Sequence, residues 1–222
     1  MPEFIHCNQP NYEELPAEIR NDQRWYTIGD EEYPSVTTVL GHGPKPWLEA
    51  WRDSMGHEKA DAETARCAAR GTAVHLLAEN YLNNVSEFTE GHALGNVKMF
   101  NQVKLRLNQI NNIRAQEIPL FSTVLKLAGR VDVIAEYQGV LSVIDFKTST
   151  TPKDLGMVND YFLQCTVYSL MYEEMFGIEI PQIIVMIAVE KGMVPMVYVK
   201  DRTEYIKPLV ERINTFYADI QE

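Results

Sequence analysis

Two aspartates and a lysine fall close together in the stretch Gly129-Arg-Val-Asp132-Val-Ile-Ala-Glu-Tyr-Gln-Gly-Val-Leu-Ser-Val-Ile-Asp145-Phe-Lys147. Gln138-Gly139 suits a two-residue hairpin turn between the two apolar runs. With Tyr137 facing Val140 across that turn, the register sets Asp132 directly opposite Asp145. Opposed Cβ atoms lie about 4.5–5.5 Å apart, a distance at which like charges destabilise a strand pair. A cation between the carboxylates removes that penalty. Side chains alternate along a strand, so Lys147 shares a face with Asp145, Val143 and Leu141, while Ile144 and Phe146 point the other way. Two carboxylates and an amine thus converge on one end of the hairpin. Such a set can hold Mg²⁺ or Mn²⁺ with positions left for water and phosphate oxygens. The lysine can then orient a water or offset charge on phosphorus. A surface ion pair is the ordinary reading of a lone Asp-x-Lys, and the opposed second aspartate argues against it.

The elements that must position this hairpin follow from hydrophobic patterning. Residues 1–34 are polar and rich in Pro, Asn and Glu, which reads as an arm with one short strand near Trp25 to Ile28. Helical periodicity covers about 46–56, 61–82 and 92–112. The second of these is dense in alanine and glycine, as suits close approach to a sheet. β-rich runs at about 115–123, 128–137 and 140–147 follow, then a helix over 157–176. Strands at 182–190 and 193–199, turning at Lys191-Gly192, and a helix over 202–219 complete the chain. The order, helices then βββ, α, ββ, α, predicts an α/β (α+β) fold with a central mixed sheet flanked by helices. One domain is expected, with an arm (1–34), a helical part (35–112) and a βββαββα core (113–222).

The 222 residues carry 20 basic and 31 acidic side chains, net −11, which excludes a uniformly basic nucleic-acid coat. Cys7, Cys67 and Cys165 are scattered, without Cys-x-x-Cys, and predict free thiols rather than a zinc ribbon or disulfide framework. No signal-peptide pattern or membrane-length apolar run is read, so the expectation is a soluble, intracellular (cytoplasmic) protein without a membrane partner.

Asp132 followed thirteen residues later by Asp145-Phe146-Lys147 resembles the motif of the PD-(D/E)XK nuclease superfamily. Three further segments resemble its RecB-like exonuclease branch. Arg70-Gly71-Thr-Ala-Val-His75 is similar to its helical histidine motif, and Gln164-x-x-x-Tyr168 to its Gln/Tyr motif. Tyr33-Pro-Ser-Val-Thr-Thr-Val-Leu40 is similar to the opening of the single-strand exonucleases found in mitochondria and phages. The resemblance implies a restriction-endonuclease-like core and a metal-dependent deoxyribonuclease. Its metal, Mg²⁺ or Mn²⁺, would be held by His75, Asp132, Asp145 and the backbone carbonyl of Phe146. Asp132, Asp145, Lys147, Gln164 and Tyr168 would form the catalytic set. The substrate implied is DNA that is single-stranded or has a free end, with replication or recombination proteins as partners of a monomer, in a host cytoplasm if the source is a phage. Four cysteines would be needed for the iron–sulphur version of the branch, and only three are present.

Other residues keep two readings. Ser35, Thr37 and Thr38 can donate to phosphates or cap a helix. Trp47 and Trp51, four apart on one helix, can stack on bases or pack inward. Lys45, Arg52, Arg66, Arg70, Lys98, Lys104 and Arg106 can line a DNA channel. A turn centred on Val124-Leu125 brings Glu117 beside Asp132, either as a third metal carboxylate or as a strand-edge charge. Glu79, four residues after His75, is a solvated residue or supports the ligands. Alternatives of other kinds are a structure-specific or restriction-type endonuclease and a non-catalytic nucleic-acid-binding module. A sugar hydrolase with paired carboxylates leaves the lysine unexplained.

Overall fold

Alternating apolar residues in the second half of the chain build a five-stranded sheet, and apolar stripes on five helices cover its two faces. The computed structural model describes residues 2–8 and 10–220. The sheet consists of β4 (Ile110–Ser122), β5 (Leu127–Tyr137), β6 (Val140–Ser149), β7 (Gln182–Val189) and β8 (Met196–Asp201), in that spatial order. All neighbours are antiparallel except β6 and β7. That parallel pair requires a crossover, which α5 (Leu155–Phe176) supplies. The expected mixed α/β layer is therefore present. α5, α6 (Thr203–Asp219) and the short α1 (Val36–Leu40) cover one face, with Val143, Val185 and Ile187 from the sheet. The second half of α3 (His57–Leu82) and α4 (Leu94–Leu107) cover the other, with Ile144, Phe146 and Met186.

Gln138 and Gly139 have φ of +53° and +81°, the left-handed pair that a type I′ turn needs. The register is the expected one: Tyr137 faces Val140 and Val133 faces Ile144. The β4–β5 register also matches, with Gln116 facing Val133 and Ile118 facing Val131.

Several boundaries differ from expectation. Residues 17–34 are not an arm but a three-stranded antiparallel sheet: β1 (Ala17–Arg20), β2 (Gln23–Ile28) and β3 (Glu31–Pro34). Asn21 and Asp22, both left-handed, turn its first hairpin. Its strand β1 is fully exposed, so no apolar alternation announced it. Tyr26 and Tyr33 dock this small sheet on Ala128. The helix expected over 92–112 stops at Leu107. Asn108 caps it and accepts from the Tyr81 hydroxyl at 2.7 Å, and Ile110 to Asn112 open β4. Ile113 exchanges backbone bonds with Ile5 and Cys7, so the first residues extend the sheet beyond β4. β8 begins three residues later than expected, because the Gln102 amide holds Val189 and the Gly192 carbonyl in a longer connection. The alanines of early α3 do not approach the sheet: Ala62, Ala65, Ala68 and Ala69 are exposed, and they favour the helix through intrinsic propensity. No described helix is long and apolar enough to cross a membrane.

Candidate active site

β5 and β6 stop pairing where the carboxylates begin. The ladder ends at Val133–Ile144, and beyond it the Phe146 N–H donates to Asp132 Oδ2 (2.8 Å) instead of to a backbone carbonyl. A strand alternating strictly would put Val131 and Val133 on one face. Val131 instead joins the α5 side of the sheet and Val133 the α3 side. In β4 the same inversion occurs at Glu117, which has φ +49° and is skipped by the ladder between Gln116–Val133 and Ile118–Val131. A non-glycine residue in that conformation stores strain and needs support. The Arg130 guanidinium provides it by donating to the Glu117 carbonyl.

The kink turns Glu117 and Asp132 toward α3. There His75 Nδ1 lies 3.5 Å from Asp132 Oδ2, and one ligand atom each from His75, Glu117 and Asp132 all lie within 4.8 Å of one another. The His75 ring meets Phe146 edge-on at 6.1 Å. Burial, then Asp132 and Glu79, push the Glu117 carboxyl up to about 7. Acids gathered this way, offset only in part by Arg130, are what a divalent cation would relieve.

Asp145 and Lys147 occupy the other face, toward α5. Asp145 is 1% exposed. Lys147 Nζ donates to its Oδ1 (2.6 Å), and so does Gln164 Nε2 (2.9 Å). Lys147 Nζ also lies 2.6 Å from Oδ2, so the ammonium spans both oxygens of the buried carboxylate. Burial and Asp132 hold the Asp145 carboxyl above its usual range, against the pull of Lys147. For Lys147, burial favours the neutral amine, but Asp145 and Asp132 outweigh it, so the group stays protonated.

The donor set fits a hard or borderline cation, since imidazole and carboxylate donors are clustered at His75, Glu117 and Asp132. Of the expected ligands, His75 and Asp132 come together there, whereas Asp145 lies on the α5 side of the β5–β6 split, paired with Lys147. The kink brings in Glu117 as well. Its one visible signal was Pro119 two residues on, since proline inside a strand marks an irregular edge.

The remaining expected residues are arranged differently. Tyr168 is buried beside Gln164, and burial drives its hydroxyl well above the ordinary range. A Cβ on Gly129 would lie 2.8 Å from that hydroxyl, so glycine is what admits the ring. Tyr168 accordingly braces Gln164 and does not itself reach the carboxylates. Ser35 caps α1, bonding the Thr38 N–H and the Thr37 and Thr38 hydroxyls, and it is buried. Arg70, expected on DNA, is turned inward at 7% exposure. Its guanidinium donates to Thr148, Thr150 and Glu190 and ties α3 to β6. Glu79 lines the same cleft as His75 and Glu117.

Residues 93–213, just over half of the chain, match the family model of the PD-(D/E)XK nuclease superfamily, and the chain belongs to that superfamily. Its relatives include mitochondrial genome maintenance exonuclease 1 of Mus musculus, 31% identical over 130 residues that cover 55% of this chain and 38% of the relative. The Xenopus tropicalis protein of the same name is 28% identical over 148 residues, 63% of this chain and 42% of that one. The chain thus spans about two fifths of the length of these curated relatives. A solved structure of a candidate exonuclease from Eubacterium rectale aligns with a TM-score of 0.46 at 13% identity, over 70% of this chain and 66% of that one.

Proposed function

We propose that the protein is a metal-dependent DNA exonuclease that acts on single strands or strand ends. The clustering of His75, Glu117 and Asp132 ligand atoms within 4.8 Å of one another, beside the buried Asp145–Lys147 pair, carries this reading. His75, Asp132 and Asp145, with Glu117 and the Phe146 carbonyl, would hold Mg²⁺ or Mn²⁺. A cation bound there supplies Lewis acidity to a phosphate oxygen and lowers the pKa of a nearby water. The side chains have separate tasks. Lys147, kept as an ammonium, is a donor that can steady the attacking water or a phosphate oxygen as negative charge grows. Gln164 fixes the rotamer of Asp145, and the Phe146 amide fixes that of Asp132. Exonuclease rather than endonuclease action is supported by the names of the relatives and by the Gln164 and His75 motifs being assembled at one site.

The test is digestion of end-labelled single-stranded, duplex and circular DNA with Mg²⁺, Mn²⁺ or EDTA, beside Lys147→Ala. Metal-dependent loss of linear strands, sparing circles and absent in the variant, is expected. Cutting of circles would replace the reading with an endonuclease, and binding without cleavage with a non-catalytic module.

A further inference from the structure

The catalytic lysine borders a second feature that the metal cluster does not use. Lys147 Nζ lies 5.2 Å from the centroid of the Tyr161 ring, and Lys153 Nζ lies 5.6 Å from the same centroid. Two ammonium groups on one ring repel each other. Lys147 is neutralised by Asp145, whereas Lys153 has no ion pair among the described residues. An unpaired lysine beside the active site is notable in a chain of net charge −11. Lys153 also lines a cleft with Trp47, Gly156, Met157 and Asn159. Of the two acids there, Asp160 is paired with Arg212 and Asp154 caps α5 through the Met157 N–H. Neither opposes an incoming anion at full strength. Trp47 is 69% exposed and sits on α2 (Pro46–Met55), a helix without a single buried residue. A tryptophan there contributes nothing to the core, yet its ring faces the cleft that begins at Lys153.

We propose that Tyr161, Lys153 and Trp47 form a track for single-stranded DNA that leads from Lys147 to α2, with Lys153 meeting a phosphate and Trp47 stacking on a base. The inference rests on the nuclease reading above and adds the path of the strand beyond the scissile phosphate. The chemistry is that of sequence-tolerant strand binding, in which cations follow the backbone and aromatic rings take successive bases. It commits to a single strand because a base can stack on Trp47 only when it is unpaired. Continuity with Lys147 through the shared Tyr161 ring places the track at the reacting end of the site.

Binding of a fluorescein-labelled oligodeoxythymidine, followed by anisotropy in EDTA across a range of KCl concentrations, separates binding from cleavage. Trp47→Ala is expected to weaken binding about tenfold, and Trp47→Phe to restore most of it. Lys153→Gln is expected to make the slope of log K against log salt shallower by about 0.7, the value for one lost contact to a single strand. A merely structural lysine would leave that slope unchanged. Wild-type affinity and slope in both Trp47→Ala and Lys153→Gln would overturn the track and leave the nuclease reading standing, provided the wild type cleaves DNA. A wild type that neither binds nor cleaves would overturn the nuclease reading itself. Far-UV circular dichroism of Trp47→Ala should match the wild type, since α2 buries nothing.

Discussion

At the scale of single residues, Asp145 is held by Lys147, which lies 2.6 Å from both of its oxygens, and by Gln164 on Oδ1. Removing either donor should have distinct effects. Lys147→Ala should lower kcat by about 10²–10³-fold, since a charged donor positioned for the transition state is lost. Gln164→Leu should cost about 10–100-fold, because it only loosens the carboxylate that Lys147 still holds. Steady-state kinetics on a labelled oligonucleotide would rank them, and equal losses would contradict the division of roles. Gly129→Ala tests the brace: its methyl collides with Tyr168 and should disturb Gln164, lowering activity without touching any ligand. The hairpin that carries Asp132, Asp145 and Lys147 was legible in the sequence because a two-residue turn dictates register, but the split that sends Asp132 to the α3 side was not. Glu117 was only half legible. Register placed it beside Asp132, but the left-handed kink that aims it depends on Arg130 reaching its carbonyl, a tertiary contact with no local signature.

At the scale of elements, two clamps hold the layers in place. Arg70 joins α3 to β6 and β7 through Thr148, Thr150 and Glu190, behind His75 on the same helix. Arg70→Ala should cost about 2–3 kcal/mol, less than a fully buried pair because Glu190 is partly exposed. Denaturant titration would measure it. Glu174, near the end of α5, accepts from the Ser122 hydroxyl and from the Thr123 N–H and hydroxyl at the end of β4. Burial favours its neutral form, but these donors prevail and hold the carboxyl below its usual range. The stabilisation is therefore present above the pKa of an unfolded glutamate, about 4.3, and is lost as pH falls through the lower folded value. Glu174→Gln should flatten the acid limb of stability against pH; an unchanged limb would show that the clamp contributes nothing. The core strands and most helices were legible here because they bury a face. The small N-terminal sheet was not, because β1 buries none and its turn uses Asn21-Asp22 in place of glycine.

At the scale of the whole molecule, three of the seven cations expected to form a channel wall are committed to ion pairs. Arg52 pairs with Asp61, Arg66 with Glu63 and Glu190, and Arg70 with Glu190. Composition displayed these charges but not their partners, of which Glu190 comes from a distant segment. The acidic cluster instead predicts that a metal stabilises the fold. Ligand at a hundred times its Kd contributes about 2.7 kcal/mol, roughly 5–10 °C in Tm for a chain of this size. Thermal unfolding in Mn²⁺ against EDTA should show that shift, and Asp132→Asn should abolish most of it.

The type I′ turn at Gln138-Gly139 bears on the order in which these parts form. A hairpin closed by two residues assembles in about 1–10 μs, whereas the β6–β7 ladder must wait for the α5 crossover. Asp132 and Asp145 are therefore brought together before Gln164 arrives, and the folding chain meets their repulsion early. Gln138→Asn, which suits a left-handed position better, should speed refolding while leaving the unfolding rate nearly unchanged. Divalent cations should do the same if they are captured by the nascent hairpin, in which case the repulsion between the two acids sets a barrier on the way to the native state.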